Sequence, residues 1–445
     1  MTLYIKNATF VDWQSLIFTK TDIELEKGPQ GGIRFIPSVD DLAVDNLAVD
    51  NLAVDDFAVE ERALKNPSII LDAKGKFVTK SFGCGHHHIY STLARGMPAP
   101  ARTPQTFLDI LNYIWWNLDK NLDLEMIKAS ALASALFCAK NGVTFVIDHH
   151  ASPFAVEESL FTIKEAFDTI GISHLLCYEI SDRDGKKIRD KGLAETKNYL
   201  KAGNQGHVGL HASFTVSDNS LEKAVTLARD YNTGIHIHAA EDMADQDHCQ
   251  KNHNKRVLQR LFDFGCLDLK GSILGHCIHL DEIEKTLLRD SRAWIAQNVE
   301  SNLNNNVGVA DYSTHGDRVM LGTDGMHSDM LRSARAAFYL GQDKEGISFP
   351  CIYERFRNIH RFIKENDFQG DNENNLVILD YAAPTIMNQD NFLGHFIYGI
   401  ESSHVESVIS SGRLIVQDKK LVSANEEEIL DFAKEMGNKL WAKLA

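Results

Sequence analysis

The chain has 445 residues, 44% hydrophobic and 24% charged, which is ordinary composition for one or more globular domains with a large core. Its 46 basic and 62 acidic residues give a formal net charge of −16, which argues against nucleic acid or an anionic membrane surface as a partner. No apolar run approaches the roughly 20 residues of a membrane-spanning helix, and the N-terminus does not resemble a signal peptide. Seven scattered cysteines without a CxxC pair are typical of reduced thiols, so we expect a cytoplasmic protein.

Both ends of the chain contain short apolar alternations bounded by turn residues, and these predict β-strands. The predicted N-terminal strands are Leu3 to Phe10, Ile23 to Leu25 and Ile33 to Ile36. The predicted C-terminal strands are Leu376 to Leu379, Val405 to Ile409 and Leu414 to Val416. From Glu426 to Leu444 the apolar side chains recur at helical spacing, which predicts a terminal helix.

Residues 41–60 contain a five-residue repeat, in which Leu42, Leu47, Leu52 and Phe57 are each followed by Ala-Val and an acidic residue. A period of five fits neither an α-helix nor a β-strand. Four copies would make only about one coil of a pentapeptide β-helix, and solenoids need several stacked units. We therefore interpret the segment as an acidic surface insertion, a loop or hairpin extension, rather than as a binding module.

The middle of the chain alternates eight short apolar runs with helical stretches. Such alternation predicts βαβ units and a parallel sheet, and eight units suggest a closed barrel. The runs are Phe77–Gly83, Phe145–Asp148, His174–Ile180, Val208–Phe214, Gly234–Ala240, Ser272–Cys277, Ala293–Val299 and Arg318–Asp324.

Residue types that bind metals lie at the carboxyl ends of six of these runs, where (β/α)₈ barrels build their sites. They are His86 to His88, His149 with His150, His211, His236 with His238, His276, and Asp324. Because side chains alternate along a strand, His86 and His88 point one way and His87 the other. With His238 and Asp324 they make a set of nitrogen and oxygen ligands typical of a catalytic zinc or iron site. One such histidine is more often structural, but six runs with the same feature favour a metal site.

Glu241 follows His238 by three residues, at the mouth of the predicted barrel. A carboxylate there could take a proton from water at the metal and return it to a leaving group. Taken alone, Glu241 would more often be an acidic residue at a helix N-terminus, where the helix dipole favours it. Its position beside His238 favours catalysis.

Seven segments of the chain resemble the motifs of a known family and occur in the same order. They are Gly85 to Gly96, Val146 to Pro153, Leu210 to Val216, His236 to Glu241, Gly275 to Leu280, Ser301 to Asn306, and Leu321 to Gly325. Over nearly the whole chain they resemble the amidohydrolase superfamily, in its cytosine deaminase and atrazine chlorohydrolase branch. The block Asp148 to Pro153, with Trp115-Trp116 upstream, is most similar to the SsnA-type aminohydrolases.

The resemblance implies a distorted (β/α)₈ TIM barrel with a small β-sandwich domain formed from both chain ends. The implied division is 1–78 plus 371–425 for the β-sandwich with its insertion at 41–60, 79–370 for the barrel, and 426–445 for a C-terminal helix. It also implies one divalent metal ion, zinc with iron as the alternative, bound by His86, His88, His238 and Asp324. Neither Val208–Phe214 nor His174–Ile180 contains the lysine of the binuclear branches, which favours a mononuclear site.

The resemblance also assigns roles to single residues. Glu241 would shuttle the proton, His276 would orient water or polarise the substrate, and Asp324 would help to deprotonate the water. His211 would contact the substrate, with Arg95 and Asn302 as secondary candidates. Glu300 stands where an arginine is common before the Ser-Asn pair, which leaves the substrate open.

These expectations lead to a hydrolase of small molecules, in which a metal-bound hydroxide attacks an amidine-like ring carbon and ammonia or an amine leaves. Dechlorination or opening of a cyclic amide at the same metal is the first alternative. A non-catalytic barrel that serves binding or assembly is the second, although such proteins usually lose ligands and here all four are present. Homodimers are common in this branch, but nothing in the chain indicates a dimer face.

Overall fold

The computed structural model describes residues 2–37 and 69–444. The repeat at 41–60 lies outside the described residues, so its interpretation as an acidic insertion stays a prediction. Within the described ranges, the helices lack the combination of length and apolar sequence that crossing a membrane requires.

In the described residues, nine strands from both chain ends form one sheet. They are β1 Leu3–Val11, β2 Phe18–Leu25, β3 Ile33–Pro37, β4 Ile69–Asp72, β5 Phe77–Lys80, β14 Leu376–Leu379, β15 Val405–Ser410, β16 Arg413–Gln417 and β17 Lys420–Leu421. The two ends meet where β5 pairs antiparallel with β14, Val78 opposite Ile378. Apolar side chains of both ends, such as Leu3, Ile23 and Ile409, share one buried core, so burial holds the ends together.

Eight parallel strands form the barrel. They are β6 Phe82–His87, β7 Val143–His150, β8 Ser173–Tyr178, β9 Val208–Ala212, β10 Ile235–Ala239, β11 Ile273–His276, β12 Trp294–Gln297 and β13 Val319–Leu321. β6 to β8 pair as one group and β9 to β13 as another. Isolated bridges close the ring, His87 to Asp324 on one side and Ile180 to Leu210 on the other. The expected distorted (β/α)₈ barrel is confirmed, and the terminal domain expected as a β-sandwich is β-rich, with its described strands in one sheet. The predicted domain boundaries stay a prediction.

The first predicted run is wrong in its boundaries. Phe77–Gly83 reads as one strand, but Phe77–Lys80 is β5 of the terminal sheet and the barrel strand β6 begins at Phe82. Only Ser81 separates the two strands, and its backbone N–H donates to the carbonyl of Asn375. Because the joint contains neither glycine nor proline and its polar residues Thr79, Lys80 and Ser81 are buried, the sequence does not reveal the change of sheet.

The helices of the described chain lie mostly between the barrel strands. They are α1 Phe107–Ile110, α2 Trp116–Lys120, α3 Leu124–Lys140, α4 Ser159–Ile170, α5 Lys186–Lys201, α6 Asp218–Asp230, α7 Met243–His253, α8 Val257–Asp263, α9 Glu282–Asp290, α10 Val299–Asn304, α11 Met330–Lys344, α12 Phe349–Glu365, α13 Phe392–Tyr398 and α14 Glu426–Leu444. A π-helical turn, Leu111–Trp115, joins α1 to α2. Short 3₁₀ turns are Ile89–Ala94, Ser213–Thr215, Tyr312–Thr314 and Ser402–His404.

Side-chain caps begin several of the helices, as Asp123 does for α3, Ser217 for α6 and Asp281 for α9. The predicted terminal helix is present as α14, and its Trp441 Nε1 donates to the carbonyl of Leu93 at 2.8 Å. Leu93 belongs to the turn that follows the first barrel strand. The C-terminal helix therefore holds the backbone next to the site.

The barrel interior has two levels. Near the start of the strands, Phe145, Leu175, Ile273, Trp294 and other apolar side chains form one buried cluster with Ile359 and Phe362 of α12. Near the ends of the strands the buried side chains are histidines instead, including His86, His149 and His276. The apolar level therefore supports a polar level at the carboxyl ends of the strands.

Candidate metal centre and catalytic pocket

Four side chains meet at the carboxyl end of the barrel. One donor atom from each of His86, His88, His238 and Asp324 lies within 4.8 Å of the other three, and all four residues are buried. His88 Nε2 is 2.9 Å from Asp324 Oδ1 and 3.2 Å from His238 Nε2. His86 Nε2 is 3.3 Å from the same oxygen of Asp324. We call these four residues the metal quartet; the sequence predicts them as ligands, and the structure brings them together.

The local backbone explains this convergence. His86 lies on β6, and the backbone N–H of Asp324 donates to its carbonyl at 3.1 Å, which fixes the end of β13 beside the end of β6. Asp324 has φ +54° and His276 has φ +69°, a left-handed conformation that is uncommon outside glycine. Such conformations cluster at functional sites, where surrounding contacts hold them. His87 points away from the quartet, as strand alternation predicts, and its Nε2 lies 3.0 Å from Ser328 Oγ.

Hydrogen bonds behind the rings fix the tautomers of two ligands. His88 Nδ1 lies 2.6 Å from the carbonyl of His149, and His238 Nδ1 lies 2.8 Å from the carbonyl of His211. Since a carbonyl oxygen can only accept, each Nδ1 carries the proton and donates. In each ring Nε2 is therefore the nitrogen left to bind a metal ion at the centre of the quartet, which is the usual arrangement behind metal-bound histidines.

The donor set fits a divalent metal ion. His86 Nε2 is buried and forms no hydrogen bond with residues 2–37 or 69–444, although it faces the quartet. Burial lowers the pKa of His86 to about 3. Burial also lowers the pKa of His88, but the Asp324 carboxylate outweighs it and raises that pKa to about 9, so the centre attracts positive charge. Three imidazole nitrogens and one carboxylate oxygen are ligands that zinc and iron accept.

Glu241 and His276 lie beside the quartet. His276 Nε2 is 3.5 Å from Glu241 Oε2 and 3.7 Å from Asp324 Oδ2. His276 Nδ1 donates to Asn302 Oδ1 at 2.7 Å, which keeps Nε2 aimed at the two carboxylates. Burial raises the pKa of Glu241 to about 7. A carboxyl group with that pKa can take and return a proton near neutral pH.

Of the three residues predicted to contact substrate, one lines the cavity and two do not. His211 lines the cavity, and its Nδ1 is 2.8 Å from Thr215 Oγ1. Arg95 is exposed and does not line the cavity, because the turn after β6 carries its guanidinium against α3, 4.8 Å from the Phe137 ring centre. Asn302 is buried behind His276 and does not line the cavity either. That Arg95 and Asn302 contact substrate therefore stays a prediction, which the lining of this cavity does not support.

The cavity over the quartet has about 610 Å³ of empty volume, including open solvent at its mouth. One wall is aromatic and apolar, formed by Tyr90, Phe107, Leu111, Trp115 and Trp116. The π-helical turn contributes Leu111 and Trp115, and such turns often mark functional sites. Polar residues Ser301, Asn304 and Asn305 line it as well.

Glu179 also lines the cavity, and sequence reasoning missed it. It lies at the carboxyl end of the third predicted run, directly after β8. Like His238 and Asp324, Glu179 is therefore a residue at the carboxyl end of a barrel strand, where sites in this fold are built.

A closed (β/α)₈ barrel with a buried three-histidine, one-aspartate set at its carboxyl end, flanked by a carboxylic acid and a further histidine, defines a metal-dependent hydrolase. A model of the amidohydrolase family matches residues 77–349, well over half of the chain. The chain belongs to the amidohydrolase family, as the resemblance in its motifs indicates, and acts on carbon–nitrogen bonds other than peptide bonds.

Relatives and solved structures agree with this assignment. The chain is 25% identical over 395 residues to a 5'-deoxyadenosine deaminase of Methanococcus vannielii, covering 83% of this chain and 90% of the relative. It is 27% identical over 398 residues to a 5-methylthioadenosine/S-adenosylhomocysteine deaminase of Aquifex aeolicus, covering 84% and 90%. A zinc-bound adenosine deaminase from Xanthomonas campestris has a TM-score of 0.80 at 16% identity, covering 98% of both chains. Atrazine chlorohydrolase of Arthrobacter aurescens TC1 with zinc has a TM-score of 0.76 at 15% identity, covering 98% and 100%. At these identities the two structures show the shared fold.

Proposed function

We propose that the protein is a zinc aminohydrolase, which removes the exocyclic amino group of an N-heterocycle such as a 6-aminopurine. The observation that carries this proposal is the position of Glu241, with a pKa of about 7, beside His276 and Asp324 at the edge of the metal quartet. Deamination needs a group in that place to move a proton from water to the leaving nitrogen. The relatives that cover most of the chain are deaminases of adenine nucleosides, which supports this substrate class.

The proposed reaction converts a ring carbon bearing an amino group, with one water, to a carbonyl and ammonia. A divalent ion held by His86, His88, His238 and Asp324 would supply Lewis acidity, which lowers the pKa of a water at that ion to about 7. Asp324 and Glu241 accept a proton from the water, and Glu241 returns a proton to the substrate nitrogen. His276, held by Asn302, keeps Nε2 directed at both carboxylates, where it would orient the water or polarise the substrate.

Zinc is the proposed metal, with iron as the alternative, because the zinc-bound neighbours share the fold. The cytoplasm is the proposed compartment, which the seven free thiols support.

Ammonia release from a panel of aminated heterocycles tests the proposal. The panel contains adenosine, 5'-deoxyadenosine, guanine, cytosine, an aminopterin-type pterin and an amino-triazine, and the protein carries one equivalent of zinc by mass spectrometry. We expect turnover of at least one member, its loss in Glu241→Gln, and normal turnover in Glu222→Gln, which removes an exposed carboxylate of α6. Absence of ammonia from every member with fully metallated protein would refute the proposal.

A further inference from the structure

Among the described residues that line the cavity, Glu179 is the one carboxylate without a role in the proposed reaction. Its side chain is only 3% exposed. A carboxylate oxygen of Glu179 lies within 4.8 Å of ring nitrogens of His149 and His238. In the same way, a carboxylate oxygen of Glu241 lies within 4.8 Å of polar atoms of His276 and Asp324. The two glutamates therefore flank the metal quartet beside different members of it, Glu179 beside His238 and Glu241 beside Asp324.

The nearest protein donors leave Glu179 incompletely bound. His149 Nδ1 is 3.4 Å from Glu179 Oε2, and Arg183 Nη2 is 3.8 Å from Oε1. Both distances exceed the roughly 2.7–2.9 Å of a strong charge-assisted hydrogen bond. An ionised carboxylate accepts about four hydrogen bonds, and a buried one needs them. Glu179 therefore keeps the capacity to accept hydrogen bonds from a molecule in the cavity.

Arg183 does not neutralise Glu179 exclusively, because it also contacts other carboxylates. The guanidinium makes its shortest contact with Asp119, and its Nε lies 3.2 Å from Asp184. Burial alone would raise the pKa of Glu179, but His211, His149 and Arg183 outweigh it and hold that pKa well below the usual range. The carboxylate is thus charged at neutral pH while Arg183 is shared among three acids.

The charged side chains that line the cavity are acidic. Its lining, which lies wholly in the described part of the chain, contains the carboxylates Glu179, Glu241 and Asp324 but no lysine or arginine. Apart from a metal ion at the quartet, a phosphate or carboxylate on a ligand would lose its water there without gaining a cationic side chain as partner, which is costly. The aromatic wall, by contrast, offers flat faces for a heterocycle and attracts cations.

We propose that Glu179 binds N–H or O–H donors of the substrate and makes the enzyme select uncharged or cationic aminated heterocycles over anionic ones. The proposal rests on the deaminase function and names the substrate class of that site. Adenosine should therefore be preferred to adenosine 5'-monophosphate, and cytidine to cytidine 5'-monophosphate, since each pair differs only by the phosphate.

The test measures binding, so it does not depend on turnover. Zinc-loaded full-length Glu241→Gln protein is titrated calorimetrically with both pairs. We expect at least one nucleoside to bind ten times or more tighter than its monophosphate. Adding Glu179→Gln should weaken the nucleoside about tenfold or more, as loss of a hydrogen bond to a charged group does, and should narrow the preference. Adding Glu222→Gln instead should change neither the nucleoside affinity nor the preference over the monophosphate, because that charge lies on the outer surface.

Other outcomes overturn the proposal. If neither pair shows a preference for the uncharged member, through equal binding, stronger monophosphate binding or no binding, the selectivity is absent. If the metal content is two equivalents per chain and falls to one in Glu179→Gln, Glu179 is a metal ligand rather than a substrate contact. Ammonia release by the wild-type protein is a separate measurement: its absence alongside the expected binding preference would refute the deaminase and leave the selectivity of Glu179 standing.

Discussion

Replacing Asn302 with alanine tests how the protein positions His276. The side-chain oxygen of Asn302 accepts the Nδ1 proton of His276 at 2.7 Å, and both residues are buried. Loss of the acceptor leaves a buried N–H without a partner, which costs about 1–3 kcal/mol. His276 can recover a hydrogen bond only by turning its ring or moving its proton to Nε2, and either change disturbs the atom that faces Glu241 and Asp324.

If this cost falls on the transition state, kcat drops by about 5- to 150-fold, since 1.36 kcal/mol is tenfold in rate. The assay is steady-state ammonia release from the best substrate of the panel, with metal content and thermal unfolding measured on the same samples. We expect unchanged metal content, because Asn302 touches none of the quartet. A kcat within twofold of wild type would refute the positioning role.

Asn358→Ala provides the matched control. The Asn358 amide on α12 donates to the carbonyls of Asp317 at 3.1 Å and Val319 at 2.8 Å, beneath the barrel and away from the cavity. The Asn358→Ala variant should lower the unfolding temperature about as much as Asn302→Ala does, and it should leave kcat near normal. Equal losses of kcat in the two variants would mean that general destabilisation, rather than the orientation of His276, explains the result.

Three further predictions concern the metal and the cavity. Glu241→Gln should keep one equivalent of metal and lose turnover by about 10²–10⁴-fold, because an amide cannot exchange the proton; a near-normal rate of ammonia release would contradict the proton-shuttle role. Asp324→Ala should abolish turnover and weaken zinc affinity in competition with a chelator, and retained affinity would exclude Asp324 as a ligand. Glu300→Gln should raise KM more than it lowers kcat, because Glu300 binds His327 and Arg332 and so holds the loop that brings Met326 to the cavity; an unchanged KM would count against this.

Two simple rules explain how the sequence could bring the members of the metal quartet to one place. Parallel barrel strands bring their carboxyl ends to one edge, and alternation along β6 separates His87 from His86 and His88. Both rules concern the backbone, so they do not depend on side-chain packing.

Side-chain direction after a strand ends is harder to predict. Arg95 and Asn302 lie near the expected positions in the chain, but a 3₁₀ turn directs Arg95 onto Phe137 and the start of α10 places Asn302 behind His276. Glu179 follows the same strand-end rule as Asp324, yet a search for a set of histidine and aspartate ligands passes over it. The joint at Ser81 leaves no signal because the chain is buried on both sides of it and has no glycine or proline there to mark a turn.

The two-level barrel interior links the sequence pattern to the chemistry. The early residues of several barrel strands are apolar and pack on α12, so apolar side chains form much of the base of the barrel. At the other end of the strands, the cavity opens to solvent over the quartet. Glu241 stands on that side of the quartet, 3.5 Å from the Asn305 amide, which lines the same cavity. Its pKa of about 7 thus belongs to a carboxyl group that adjoins both the proposed reaction centre and this polar lining, which is where a proton shuttle must act.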